Sequence, residues 1–126
     1  MSMRTPLGRV RGLGSAKSGT EHFWQQRVTA VALVPLTVAF VAILVSLLGR
    51  NHAAVVQILG SPPVAILMVL FVLAGCWHMR LGMQVIIEDY VHGETSKLVL
   101  LMLNTFFTVA VCLAAIFAVL KISFGV

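Results

Sequence analysis

The sequence is poor in charge, and poorest in negative charge. Four acids, Glu21, Glu88, Asp89 and Glu94, serve 126 residues, and 10% of the chain is charged against 60% hydrophobic. With a mean hydropathy of +1.02, no soluble domain of this size can hide so much apolar surface. No acid stands inside an apolar run, so the buried carboxylate that a small drug-type transporter needs is missing. The two cysteines, Cys76 and Cys112, form no Cys-x-x-Cys and no zinc-spaced cluster with histidine. They read as small apolar packing residues and indicate no compartment. Strand-length alternation is absent, which excludes a membrane barrel. There is no internal repeat and no pair of inverted halves. Gly8, Gly12, Gly14 and Gly19 follow no strand and precede no Gly-Lys-Ser/Thr, so they make no phosphate loop.

What the sequence does have is three apolar stretches, each long enough for the roughly 20 residues that cross a bilayer. They run over about 28–48, 63–90 and 98–120; the first and third are uncharged, and Arg80 is the only internal charge of the second, ahead of Glu88-Asp89 at its end. Backbone groups in hydrocarbon must be satisfied within their own segment, so these stretches are helices and the fold is all-α, an integral three-transmembrane-helix bundle. Gly49-Arg50-Asn51-His52 ends the first span. Ser61-Pro62-Pro63 opens the second, with proline suited to a first turn. Residues 53–59 are apolar enough for a short interfacial helix, and Ser96 is placed to cap the third span. The chain divides into an arm over 1–26, a membrane domain over 27–121 and a tail over 122–126.

Charge gives the expected orientation. Arg4, Arg9, Arg11, Lys17 and Arg27 precede the first span, and the later loops and tail carry only Arg50, Lys97 and Lys121. The positive-inside bias predicts an N-terminus in the cytoplasm, or in the matrix if the protein is mitochondrial. Three crossings put the C-terminus opposite. The membrane expected is the bacterial inner membrane, or its mitochondrial equivalent. A basic arm of this kind reads as a topology signal and a lipid or partner contact rather than a nucleic-acid site. With no apolar run before residue 28, it reads as a retained arm and not a secretory signal, anchored by Phe23-Trp24 at headgroup level.

One residue stands out in the second span. His78 lies deep in the apolar stretch, where an imidazole needs a reason. Asp89-Tyr90 ends the same stretch, about 18 Å further along the helix axis at ~1.5 Å per residue. One group at depth and a second at the surface is the layout of a haem ligand below a quinone pocket. At ~100° per residue, Gly75, His78, Gly82, Val85 and Asp89 share a face. The two glycines leave room beside the imidazole for something flat and wide. They equally permit close helix–helix packing, with His78 hydrogen-bonded to a neighbouring helix. Arg80 points to nearly the opposite face, where it can snorkel, meet a partner or meet a propionate. At the start of the first span, His22, Trp24, Gln25, Gln26, Arg27 and Thr29 form a second cluster. It suits a carboxylate or a lipid phosphate, or plain interfacial anchoring.

Two motifs, His-x-Trp-x-x-x-Arg-x-Thr-Ala over 22–30 and His-x-x-x-Gly-Met-x-x-x-x-x-Asp-Tyr over 78–90, resemble those of the small membrane anchor subunit of succinate dehydrogenase (respiratory complex II), the subunit called D. The arm, Arg4-Thr-Pro-Leu-Gly-Arg-Val-Arg-Gly-Leu-Gly-Ser-Ala, is similar to alphaproteobacterial versions. The resemblance implies a role for each matching residue. His78 is an axial ligand of the haem b iron. Tyr90 hydrogen-bonds ubiquinone, and the adjacent Asp89 supports that pocket. Arg27 lies by the haem propionates, and His22 stands near them, although one residue closer to the arginine than in the anchor compared. Arg80 has no counterpart.

The resemblance also implies partners: a second anchor subunit (C) that completes a heterodimeric anchor and shares the haem, an iron–sulfur subunit that delivers electrons, a flavoprotein subunit, and membrane lipid. The chain carries no cluster motif, flavin site or succinate site of its own. The fumarate reductase anchor and a haemless structural helix bundle are the alternative readings. A self-contained di-haem cytochrome is excluded because His52 and His92 fall in loops.

Overall fold

The computed structural model describes residues 4–14 and 20–126. Lys17 and Gly19, and the Ser15-Ala16 end of the arm motif, lie outside the described residues. Five helices follow in order: α1 (Pro6–Val10), α2 (Glu21–Leu47), α3 (His52–Gly60), α4 (Pro62–Tyr90) and α5 (Glu94–Phe124), with no strand among the described residues. Three of them, α2, α4 and α5, are long and apolar enough to cross a membrane. The protein is therefore a multi-pass membrane protein. With 29 residues in α4, that helix is ~44 Å long, against a hydrocarbon core of about 30 Å. The excess puts its polar ends at the two interfaces.

The helix ends have local causes. Thr5 caps α1 by accepting the Gly8 N–H at 3.0 Å, with Pro6 in the first turn. Asn51 caps α3 by accepting from the Ala54 N–H at 2.9 Å. Gly49, at φ 74°, takes the left-handed turn that lets α2 stop and α3 begin. Pro62 and Pro63 open α4 as expected.

Three expectations need correcting. Ser96 does not cap α5; Gly93 takes that position and Glu94 occupies the first turn, where a carboxylate favours the helix N-terminus. His52 lies not in a loop but at the start of α3. The spans also extend beyond their apolar cores, because hydropathy marks where hydrocarbon begins, whereas the helix of α2 already starts among the polar residues Glu21 and His22.

In the packing, α4 lies between α2 and α5, and α2 and α5 do not meet. The three spans thus form an open layer with α4 in its middle. α3 closes one end: Ser123 Oγ donates to the Gly60 carbonyl at 3.2 Å, and a Cβ on Gly60 would stand only 3.1 Å from the Ile122 carbonyl oxygen. An open layer buries little. Among the described residues, only Ala65, Leu81, Ile87 and Thr108 are buried. The accessible surface is 9335 Å², against about 6,600 Å² for a compact soluble monomer of this mass. Large side chains such as Val31, Val38, Phe106 and Phe117 face outward and call for lipid or another subunit.

Candidate functional site

The seam between α2 and α4 is antiparallel. Near one end Phe40 stacks on Phe71, with ring centroids 4.5 Å apart and planes 9° apart. A Cβ on Gly75 would meet Leu33 at 4.0 Å, and one on Gly82 would meet Gln26 Nε2 at 4.0 Å. A Cβ at either position would make only ordinary van der Waals contact, so the packing of α2 on α4 does not itself require these two glycines. Between them, His78 meets α2 through a single polar contact, Nδ1 to Thr29 Oγ1 at 2.9 Å. Among the described residues, the other ring nitrogen, Nε2, has no partner. His78 is half-buried and lines an apolar groove of about 380 Å³ with Ala30, Leu33, Val34, Thr37 and Val38.

A second cleft lies on the other side of Thr29 along α2. It measures about 490 Å³ and is lined by His22, Phe23, Gln26, Arg27, Gly82 and Val85. His22 Nε2 and Gln26 Oε1 are buried there without a hydrogen-bond partner. The Arg27 guanidinium sits over the Phe23 ring, 4.5 Å from its centroid, and has no acid partner among the described residues. Each buried polar atom without a partner carries a desolvation cost of about 1–3 kcal/mol, so this cleft is one that a polar ligand would stabilise. The structure thus brings His22 and Arg27 to one place, one turn from the His78–Thr29 contact.

Asp89 and Tyr90 close the same helix. Asp89 follows Val85 by one turn, so it continues the face that carries Gly82 and Val85. Both residues are exposed, Tyr90 at 79%, and neither makes a hydrogen bond or ion pair among the described residues. Neither lines the groove beside His78 or the His22–Arg27 cleft; they stand at the end of α4 beyond that cleft.

The opposite side of α4 is organised differently. Arg80 Nε donates to Thr105 Oγ1 at 3.3 Å, and Asn104 Nδ2 donates to the Arg80 carbonyl at 3.0 Å. The guanidinium lies 5.9 Å from the centre of the Trp77 ring. Arg80 thereby bridges to α5, a contact that is not among the three roles the sequence suggests for it. Cys76 and Cys112 are free thiols lining the groove on this side. No three His, Cys, Asp or Glu side chains converge among the described residues; the imidazoles on this seam are those of His78 and His22.

Thr29 is the site residue whose role the sequence hides. It stands in the span-one cluster, but its partner is 49 residues away, and no local signal links them. The related signal is only that Thr29 sits three residues after Gln26 and four before Leu33, which puts all three on one helix face.

Comparison with known proteins agrees with the three-span reading. A family model described as the succinate dehydrogenase/fumarate reductase transmembrane subunit matches residues 1–119. The chain is similar to the succinate dehydrogenase hydrophobic membrane anchor subunit of Paracoccus denitrificans, 35% identical over 96% of this chain and 93% of that one. It is also similar to the anchor subunit of Reclinomonas americana, 35% identical over 66% of this chain and 72% of that one. The corresponding subunit of Rickettsia bellii is 29% identical over 92% of this chain and 93% of that one. No solved structure matches the chain significantly.

Proposed function

The chain belongs to the succinate dehydrogenase/fumarate reductase transmembrane subunit family, as a membrane anchor of the succinate dehydrogenase kind, and from that premise we propose that it holds one side of a haem b and part of a ubiquinone reduction site. The observation that carries this reading is His78. Its Nδ1 is occupied by Thr29, and its Nε2 is left for a ligand beside an apolar groove. A b haem is an amphipathic plate, an apolar macrocycle with two carboxylates on one edge. The seam has matching parts in matching order: an apolar groove, an imidazole, then a cleft with Arg27 and the unpaired His22 Nε2. Gln26 can present either a donor or an acceptor to that cleft by turning its amide.

His78 would hold the haem iron, and since this chain has no second histidine at the same depth, a second anchor subunit would complete the iron's coordination. That requirement fits the open layer, whose apolar faces have no cover in this chain. When bound, the haem supplies a one-electron centre whose potential depends on its axial ligands. Ubiquinone reduction consumes two electrons and two protons. The electrons are supplied by an iron–sulfur subunit, itself fed by a flavoprotein subunit that oxidises succinate. On this chain Tyr90 donates a hydrogen bond to the quinone carbonyl as negative charge develops on its oxygen. Asp89, beside it at the interface, passes protons inward from the same side. The basic arm puts that side in the cytoplasm of a bacterial inner membrane.

The test is an optical spectrum of the purified complex. A dithionite-reduced b-type α-band should co-purify with this chain. It should disappear or shift in His78→Ala while the subunits remain assembled. An unchanged band in His78→Ala would show that the histidine only packs helices.

A further inference from the structure

We infer that Thr29 is a positioning residue that fixes the tautomer of His78, holding the proton on Nδ1 and the lone pair on Nε2. The inference rests on the haem reading above and adds to it a residue on another helix. Three short contacts meet at Thr29 Oγ1: the Gln25 carbonyl at 2.7 Å, the Gln26 carbonyl at 3.1 Å and His78 Nδ1 at 2.9 Å. A hydroxyl brings one proton, and both carbonyls can only accept. If that proton pointed at Nδ1, two oxygen acceptors would face each other across 2.7 Å with nothing between them.

With two protons for three contacts, leaving neither the 2.7 Å nor the 2.9 Å contact without a proton requires the imidazole proton on Nδ1. Thr29 donates to its own helix, and His78 Nδ1–H donates to Thr29. Neutral imidazole carries one N–H, so Nε2 is then the unprotonated nitrogen, the form a metal needs. By accepting that bond, Thr29 also does what a supporting group does at metal-bound histidines generally. It orients the ring and makes the ligating nitrogen more basic, and the chain from imidazole to hydroxyl to carbonyl strengthens each bond in it.

The test uses the assembled complex with Thr29→Val, which keeps the shape and removes the hydroxyl, and Thr29→Ser, which keeps the hydroxyl. Two readouts are taken besides turnover: haem per complex, and the ferrous fraction at a fixed ambient potential. Thr29→Val should weaken haem retention about 10- to 100-fold, the usual effect of losing such a support. The haem that remains should be easier to reduce, because a less basic imidazole stabilises ferric iron less. Its ferrous-to-ferric ratio should rise about two- to tenfold, the worth of one neutral hydrogen bond. Thr29→Ser should behave as the parent.

Wild-type haem content and reduction in Thr29→Val would overturn the inference, as would a Ser variant as damaged as the Val variant, since packing would then be the cause. If the Val variant does not assemble, Thr29→Cys, whose sulfur is a weak acceptor, replaces it in the comparison with Ser. His78→Ala separates the two levels. A lost band there with a silent Thr29→Val sinks only this inference, whereas an unchanged band in His78→Ala sinks the haem reading beneath it.

Discussion

The two sides of α4 solve the same problem in opposite ways. Each must place a polar side chain in hydrocarbon. On the α5 side, Arg80, Thr105 and Asn104 find partners within the chain. The exception is Thr108, whose buried hydroxyl has none. On the α2 side, the polar groups are only half used. His78 has one bonded nitrogen, and His22 and Gln26 have orphaned atoms. We read the α2 side, where more buried polar atoms are left without partners, as the side kept for a ligand, and the α5 side as scaffold.

That contrast can be broken in several ways. The largest effect should come from removing the partners altogether. Expressed alone, the chain should give no stable haem-loaded protein, because the open layer covers neither its apolar faces nor the second axial position. Purification with a full b-type spectrum from the isolated chain would refute the half-site account. A smaller effect is expected on the scaffold side. Asn104→Leu removes the hydrogen bond to the Arg80 carbonyl and should lower the stability of the assembled complex by about 0.6–2 kcal/mol, the worth of interhelical hydrogen bonds in membranes. The haem spectrum should stay as it was; a lost α-band would erase the distinction between the two sides.

The smallest effect should come from Gly60→Ala, far from both. Alanine favours the helix by about 1 kcal/mol over glycine. Its Cβ must stand 3.1 Å from the Ile122 carbonyl oxygen, so α3 has to shift. The two terms oppose, and thermal unfolding of the complex should move little in either direction, with the spectrum and turnover unchanged.

How much of this is legible without coordinates depends on the range of the interaction. The three spans and the breaks at Gly49 and Pro62-Pro63 follow from hydropathy and local backbone chemistry, and so does the short helix after Asn51. The Thr5-Pro6 cap of α1 is equally local and could be read as a helix start, yet the arm's glycines and arginines obscure it. The face shared by Gly75, His78 and Gly82 follows from helical geometry. What helical geometry does not say is which helix meets that face. Thr29 pairs with His78, and Thr105 with Arg80, only because α4 lies between the other two, and that order is a property of tertiary packing. The openness of the layer is hidden for the same reason: three amphiphile-free spans can close on themselves as easily as lie side by side, and residue periodicity does not distinguish the two.

The central proposal is that this chain supplies part of the quinone site, at Tyr90 and Asp89, and does not merely hold the complex in the membrane. Tyr90→Phe tests it most directly, because it removes one hydroxyl from an exposed side chain and should leave packing intact. Two activities of the variant complex are compared: succinate–quinone turnover, and succinate oxidation by an artificial dye that takes electrons upstream of the membrane. The account expects quinone turnover to fall about tenfold to several hundredfold, the range spanned by one neutral hydrogen bond and one oxyanion-type donor. Dye reduction should stay near normal. Asp89→Asn should show the same split with a steeper pH dependence of quinone turnover. Undiminished quinone turnover in Tyr90→Phe would contradict the account, and an equal fall in both activities would mean the residue holds the assembly together instead.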